Sequence, residues 1–460
     1  MSRRVLLRLG VALLAAGFAW PAAAERILVA PGEDAQAALD ATTEGDVVVL
    51  RAGEHRGPLK VTRTIALEGE PGAMVLGLGR GSVVTVSAPR AAVRGLIVRG
   101  SGRDLEKMDS GVFIEKGAAG ALVEANRIEG NLYGVYIHGA PDAVVQRNVI
   151  IGLSGVRMND AGNGVSVWDA PGAKVLDNDV RFGRDGIFSV ASRKNVFRGN
   201  RFRDLRFAVH YMYTNDGEVS DNVSVGNTVG YAIMYSHRLT VRGNISDGDR
   251  DRGFLFNFAN GSQITDNTVI GRLQPAERWT AQALSAGEAR EHGLPLADQA
   301  AAPMGAARIG PEKCVFIYNT NQNRFRNNWF ESCEIGVHFT AGSEGNEIVG
   351  NAFVRNRNQV KYVGTRHLDW SKGGRGNYWS DNPAFDLNGD GVADAAYRPN
   401  DLVDRVLWTA PQAKVLMNSP AIQVIRWAQA QFPAILPGGV VDSHPLMAPP
   451  TRPRTAEARP

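Results

Sequence analysis

Charge of one sign is missing from this chain. Its 460 residues hold 51 Lys and Arg against 47 Asp and Glu, a formal net of +4. Arg3, Arg4 and Arg8 lie in the N-terminal segment and every acidic residue follows it, leaving 48 basic against 47 acidic. A chain with no net basic field gives no reason to invoke nucleic acid. Long apolar runs are also missing. The run from Leu9 to Trp20 is too short to span a bilayer. With arginines before it and Ala22-Ala23-Ala24 after it, residues 1–24 read as a cleavable signal peptide. Ser2-Arg3-Arg4 leaves Sec and twin-arginine export both open. The rest is expected to be exported and soluble. Cysteine is scarce: Cys314 and Cys333 allow one bridge at most.

What is present is an asparagine that keeps returning: Asn126, Asn148, Asn178, Asn200, Asn222, Asn244, Asn267, Asn328 and Asn351. Most steps are 22 or 23 residues, and the residue three places earlier is always apolar, from Val123 to Ile348. Such a period, with short apolar runs and no helical spacing, predicts a solenoid of β-strands. Asn tolerates the left-handed backbone, so it is placed at the turn, with stacked amides each donating to the next. A second motif runs in step: Gly111-Val-Phe-Ile, Gly134-Val-Tyr-Ile, Gly164-Val-Ser-Val, Gly186-Ile-Phe-Ser, Ala208-Val-His-Tyr, Ala232-Ile-Met-Tyr, Gly253-Phe-Leu-Phe, Cys314-Val-Phe-Ile and Gly336-Val-His-Phe. Alternation sends the first and third residues after the small one inward and the others outward. The expected fold is all-β, a right-handed parallel β-helix of ~22-residue coils.

The step from Asn148 to Asn178 leaves about eight residues looping out near Ser154 to Ala161, and that from Asn267 to Asn328 leaves an excursion between Gly271 and Pro311. Asp34 to Leu39 is expected to be a capping helix, followed by strands at Val47–Leu50, Leu59–Ile65, Val83–Val86 and Val93–Val98. The expected divisions are 25–370 for the solenoid, 371–448 for an irregular C-terminal cap and 449–460 for a disordered tail. Ser419 N-caps a helix over Pro420 to Phe432, whose Ile422, Ile425, Ala428 and Phe432 are expected to pack on the solenoid end. Cys314 and Cys333 are 19 residues apart, three short of a coil. That offset disfavours a bridge, and Cys314 reads as a buried small hydrophobe.

Two constellations carry chemistry. Asp386, Asn388, Asp390, Val392 and Asp394, with Gly391 at the turn, have the spacing of a structural Ca²⁺ loop, although Tyr397 replaces the bidentate Glu at its end. On the outer face of adjacent coils, His210, Met212 and Met234, with His237 just beyond, form a soft set suited to Cu(I). His210 and Met234 are expected as direct neighbours. Met158, in the eight-residue insertion, is placed to swing over them, and His138 lies on the Met212 column about three coils away. Phe188, Tyr136 and Trp168 also face outward. The run Asp249-Arg250-Asp251-Arg252 reads as a solvated corner, with lyase chemistry as the alternative. The Asp-Pro-His-Asp run that marks alginate epimerases of this fold does not occur.

Three stretches stand apart from the repeat: the text around Gly45-Asp-Val-Val-Val-Leu50 and Val93-Arg-Gly-Leu-Ile-Val98; Gly376-Asn-Tyr-Trp-Ser-Asp-Asn-Pro-Ala-Phe-Asp386, running on to Tyr397-Arg-Pro-Asn-Asp-Leu-Val-Asp-Arg405; and Ser419-Pro-Ala-Ile-Gln-Val-Ile-Arg-Trp-Ala428, ending at Asp442-Ser-His-Pro-Leu-Met447. Together they resemble the NosD family of nitrous-oxide reductase maturation proteins. The resemblance implies a periplasmic β-helix that is no enzyme but a scaffold and transient Cu(I) or sulfur carrier, helping to build the reductase's copper–sulfide centre. Implied partners are an ABC transporter of permease and ATPase (NosF/NosY type), a copper-chaperone lipoprotein (NosL type) and the apo reductase. Contact with a membrane would come through those partners alone. The rival readings are a polysaccharide lyase or uronate epimerase, or a carbohydrate-binding module, using the same fold.

Overall fold

The computed structural model describes residues 24–271, 313–400, 403, 419–432 and 439–452. The signal segment, the bulk of the long excursion with His292 and Met304, and the tail beyond Arg452 lie outside the described residues. The chain is a parallel β-helix. Each regular coil contributes three short strands to three parallel sheets of 13, 12 and 13 strands. One coil runs Leu122–Glu124, Arg127–Glu129 and Tyr133–His138. The twelve-stranded sheet has the longest strands, and the apolar columns from every coil merge in one continuous core. Helix α1 (Ala35–Ala41) closes the first coil, with the Asp34 carboxylate accepting from Ala37 N and with Ala35 and Leu39 buried. The run Val93–Val98 divides into Ala92–Arg94 and Ile97–Arg99 around Gly95, whose φ is 71°.

The asparagine ladder is present, but the strained backbone is not where the sequence reading put it. The left-handed residue is the one before each Asn: Ala125, Arg147, Asp177, Gly199, Asp221, Gly243, Asp266, Asn327 and Gly350, with φ from 53° to 73°. The Asn itself locks the turn. Its backbone N–H and its Nδ2 both donate to the Oδ1 of the next Asn; for Asn222 these bonds to Asn244 measure 3.1 and 3.0 Å. Nδ2 also reaches back to the carbonyl of Phe197 at 2.8 Å. Each buried amide is thus satisfied on both sides, which offsets the cost of burying it.

A second inward corner explains two further departures. At that corner Asn227 N donates to Asp249 Oδ1 at 2.8 Å, and Ser224 and Ser246 donate to Asp249 Oδ2 at 2.7 and 2.6 Å. Asp249 and Arg250 are buried, so the charged run is no solvated corner. Burial, against those three hydrogen bonds, pushes the Asp249 carboxyl up to about 7. Cys333 occupies the same corner, three residues before Gly336, and Cys314 lies one coil back from Gly336. Elsewhere this pair of positions is a touching Gly and Asn: a Cβ built on Gly111 would lie 2.9 Å from Asn131 Nδ2, and one on Gly336 3.0 Å from Asn356 Nδ2. An offset three short of a coil is therefore what contact requires. Cys314 and Cys333 are bonded, with Cα atoms 5.6 Å apart, and the expectation of an unbridged Cys314 is corrected.

At the far end the ladder finishes on a carboxylate. Asn377 accepts from Asn351 and donates its own N–H to Asp442 Oδ2 at 2.6 Å. Trp379 Nε1 donates to the same oxygen at 2.7 Å. Phe353 and Trp379 stack at 4.3 Å, and Tyr397 packs on Trp379 at 5.0 Å. Helix α2 (Pro420–Gln431) has Ser419 Oγ as its cap, but it does not pack as expected. Ile425 is 37% and Phe432 59% exposed, with Val424 and Trp427 at 62% and 63%. Chain beyond 448 is held at least to Arg452, which pairs with the buried Glu331 at 2.7 Å.

Asn222→Leu orphans Asn200 N–H and the Phe197 carbonyl, at roughly 1–3 kcal/mol each, whereas Ala125→Gly relieves a left-handed alanine and gains up to ~1 kcal/mol. Chemical unfolding of each variant against the parent checks both signs. For Asp249 the folded-state pKa is raised, so its contribution is full below the ordinary carboxylate range and is lost as pH rises through about 7. Asp249→Asn is expected to stabilise more at pH 8 than at pH 5, with a ceiling of roughly 4 kcal/mol. An equal gain at both pH values would show that the native carboxyl is not protonated at pH 5.

Candidate functional site

The outer face of the twelve-stranded sheet carries the soft donors. Register fixes their arrangement: Phe188, His210 and Ala232 form one column, and Val190, Met212 and Met234 the next. Met212 is therefore the direct neighbour of Met234, and His210 is diagonal to Met234 rather than beside it. The expected pairing had aligned Ala232 with Ala208, a slip of two residues. A slip of two keeps every side chain on its face and changes only its neighbour. Met212 and Met234 are half-buried, on strands about 4.8 Å apart. His210 lies two residues before Met212, and diagonal pairs in a sheet stay within reach of long side chains.

His210 is not the exposed residue its column implied. It is 8% exposed, with Phe188 and Phe207 each 4.9 Å from its ring. Its Nδ1 lies 3.1 Å from Asp185 Oδ2. Asp185 is forked by Arg206, with Nε to Oδ1 at 2.9 Å and Nη2 to Oδ2 at 2.7 Å. Burial would raise the Asp185 carboxyl; the His210 hydrogen bond and the Arg206 guanidinium outweigh it and hold the group below the usual range. His210 Nε2 is buried and has no hydrogen-bond partner among the described residues. Sequence reasoning missed Asp185 and Arg206. The signal was present, since Asp185 precedes His210 by 25 residues, one coil plus three.

The other expected ligands are not brought together with these. His138 is on the Met212 column, three coils away through Trp168 and Val190, and packs edge-on against Trp168 at 4.5 Å. His237 sits beyond the left-handed Tyr235, bridged to Asn260. Met158 is buried in a one-turn helix (Met158–Asp160) within the short insertion. Just after the insertion, Gly162 O accepts from Arg184 N, at the start of the strand Asp185–Val190.

Two surface features bear on chemistry. Tyr213, Tyr235 and Phe258 stack at 5.0 and 5.1 Å beside the methionines, all with positive φ. Tyr235, in the middle, has a ring on each face, and Tyr213 is 53% exposed. In the Asp386–Asp394 loop, the acidic oxygens are turned onto backbone N–H groups. Asp386 accepts from Gly389 and Gly391, Asn388 from Asp390, Asp390 from Val392, and Asp394 from Leu387. Tyr397, at the place of the missing Glu, gives its hydroxyl to Asp381. Among the described residues no three His, Cys, Asp or Glu side chains converge as a metal-holding group. The calcium expectation finds no support in this loop.

Comparison with known proteins places the chain. A family model described as "Periplasmic copper-binding protein (NosD)" matches residues 148–384. The chain is 44% identical over 402 residues to a "Probable ABC transporter binding protein NosD" of Stutzerimonas stutzeri, covering 87% of each. It is 40% identical over 411 residues to the protein of that description from Pseudomonas aeruginosa, covering 89% of each. A family 28 exopolygalacturonase of Yersinia enterocolitica is similar at a TM-score of 0.48 and 12% identity, covering 74% of this chain and 77% of that one. That distance carries no functional argument. No helix of the described residues is long and apolar enough to cross a membrane. With such identity along nearly its whole length, the chain belongs to the NosD family.

Proposed function

We propose that this chain is a periplasmic assembly factor that carries Cu(I) toward the copper–sulfide centre of nitrous-oxide reductase, and that it turns over no substrate of its own. The family's description as periplasmic and copper-binding supports the compartment and the cargo. The relatives' description as ABC transporter binding proteins supports docking on a permease and its ATPase. A copper-chaperone lipoprotein as donor and the apo reductase as acceptor complete the reading.

The observation that carries it is the register of Met212 on Met234, with His210 two residues before Met212 and diagonal to Met234. Two thioethers and one neutral imidazole form a soft, uncharged donor set that matches Cu(I) and disfavours hard cations. Half-buried methionines leave the cargo within reach of a donor and an acceptor. The site need not hold copper permanently, and a set of neutral ligands suits transfer better than a closed thiolate cage. Lyase or epimerase chemistry draws no support from Asp249, whose carboxyl is sealed in the second corner.

Cu(I) titration of the purified protein against a chromophoric chelator tests the site. Met212→Ala with Met234→Ala should weaken binding by more than the roughly 10–100-fold that loss of an outer-shell partner costs. Unchanged affinity removes both residues from the site. Deleting the gene should leave the reductase without its copper–sulfide centre. Release of unsaturated or epimerised uronate from alginate or pectate by the purified protein would overturn the assembly reading.

A further inference from the structure

The buried partners of His210 are the part of this face that neither the family description nor the soft donor set accounts for. We propose that Asp185 and Arg206 are positioning residues, which hold the His210 proton on Nδ1 and leave Nε2 free to take Cu(I) beside Met212 and Met234. The proposal rests on the cargo-site reading above and names how that site is built.

The chemistry of the three groups is directional. An ionised carboxylate can only accept, so the 3.1 Å contact between Asp185 Oδ2 and His210 Nδ1 requires the proton on Nδ1. A neutral ring with its proton there carries its lone pair on Nε2. Arg206 fixes the carboxylate in turn, because its fork engages both oxygens and lets neither rotate away. Arg206 also offsets the Asp185 charge, so the buried assembly adds no net charge beside a monovalent cargo.

The imidazole is held between Phe188 and Phe207, and Arg206 lies over the Phe207 ring at 4.4 Å. One coil further on, the column carries only the methyl of Ala232, next to Met234. A buried imidazole nitrogen with no partner is costly unless something binds it. A carboxylate on the far nitrogen is the arrangement that orients metal-bound histidines and raises their donor strength.

The test uses the full-length protein with Cu(I) alone and ¹⁵N-labelled histidine, His210→Ala identifying the His210 signal. In the copper-free parent, His210 should be protonated at Nδ1 and bare at Nε2, and Cu(I) should move the Nε2 resonance. A proton on Nε2, or a Cu(I) shift confined to Nδ1, overturns the proposal, and this measurement needs no variant beyond the assignment. Asp185→Asn should mix the two tautomers and weaken Cu(I) binding by roughly 10–100-fold, while X-ray absorption still shows sulfur ligation. If His210→Ala weakens binding and Asp185→Asn changes neither tautomer nor affinity, the positioning role fails alone. If His210→Ala leaves affinity unchanged, the cargo-site reading fails with it. Should Asp185→Asn not fold, the parent's two spectra decide the matter.

Discussion

The structure depends on one repeated hydrogen-bonding unit, an asparagine that donates twice to the next coil and once to the coil before. Backbone N–H and Nδ2 meet the following Oδ1, so each rung sets the height and register of its neighbour. That is enough to hold a left-handed residue ahead of each rung from Asn126 to Asn351, including alanine and arginine, which ordinarily avoid that backbone. The apolar core could be rebuilt with many combinations of Val, Ile and Phe. The ladder could not, because a rung without an amide leaves donors and acceptors stranded in an interior that offers no water.

Function is arranged by the same constraint. With the coils fixed at one corner, the twelve-stranded sheet acquires a register that stacks Met212 on Met234 and brings Asp185 under His210. No loop needs to fold over to create the cluster. The proposed donors stand on strands, which positions them more sharply than a mobile segment would.

Much of this was legible in the sequence. The period, the inward and outward columns, the short helix that closes the first coil and the helix cap at Ser419 could all be read from spacing and residue type. Three things could not. The left-handed position escaped because Asn is the residue associated with that backbone, while the structure uses whatever residue precedes it. The partner of Met234 escaped because a two-residue slip is invisible to a pattern of period two. The Cys314–Cys333 bond escaped because distance was counted in whole coils, whereas contact across a corner is three residues short of one. The environment of His210 is a fourth case. Its column placed it on the surface, and only packing from Phe188, Phe207 and Asp185 shows it buried.

The carboxylate at the end of the ladder has a consequence for how the molecule is made. Every rung donates in the same sense, so a growing stack always carries open donors on its newest coil. A chain delivered N-terminus first closes each set with the coil that follows. Asn377 has no such coil; its acceptor is Asp442, 65 residues later. The last rung of the solenoid therefore stays open until a carboxylate from a different part of the chain, Asp442, reaches it.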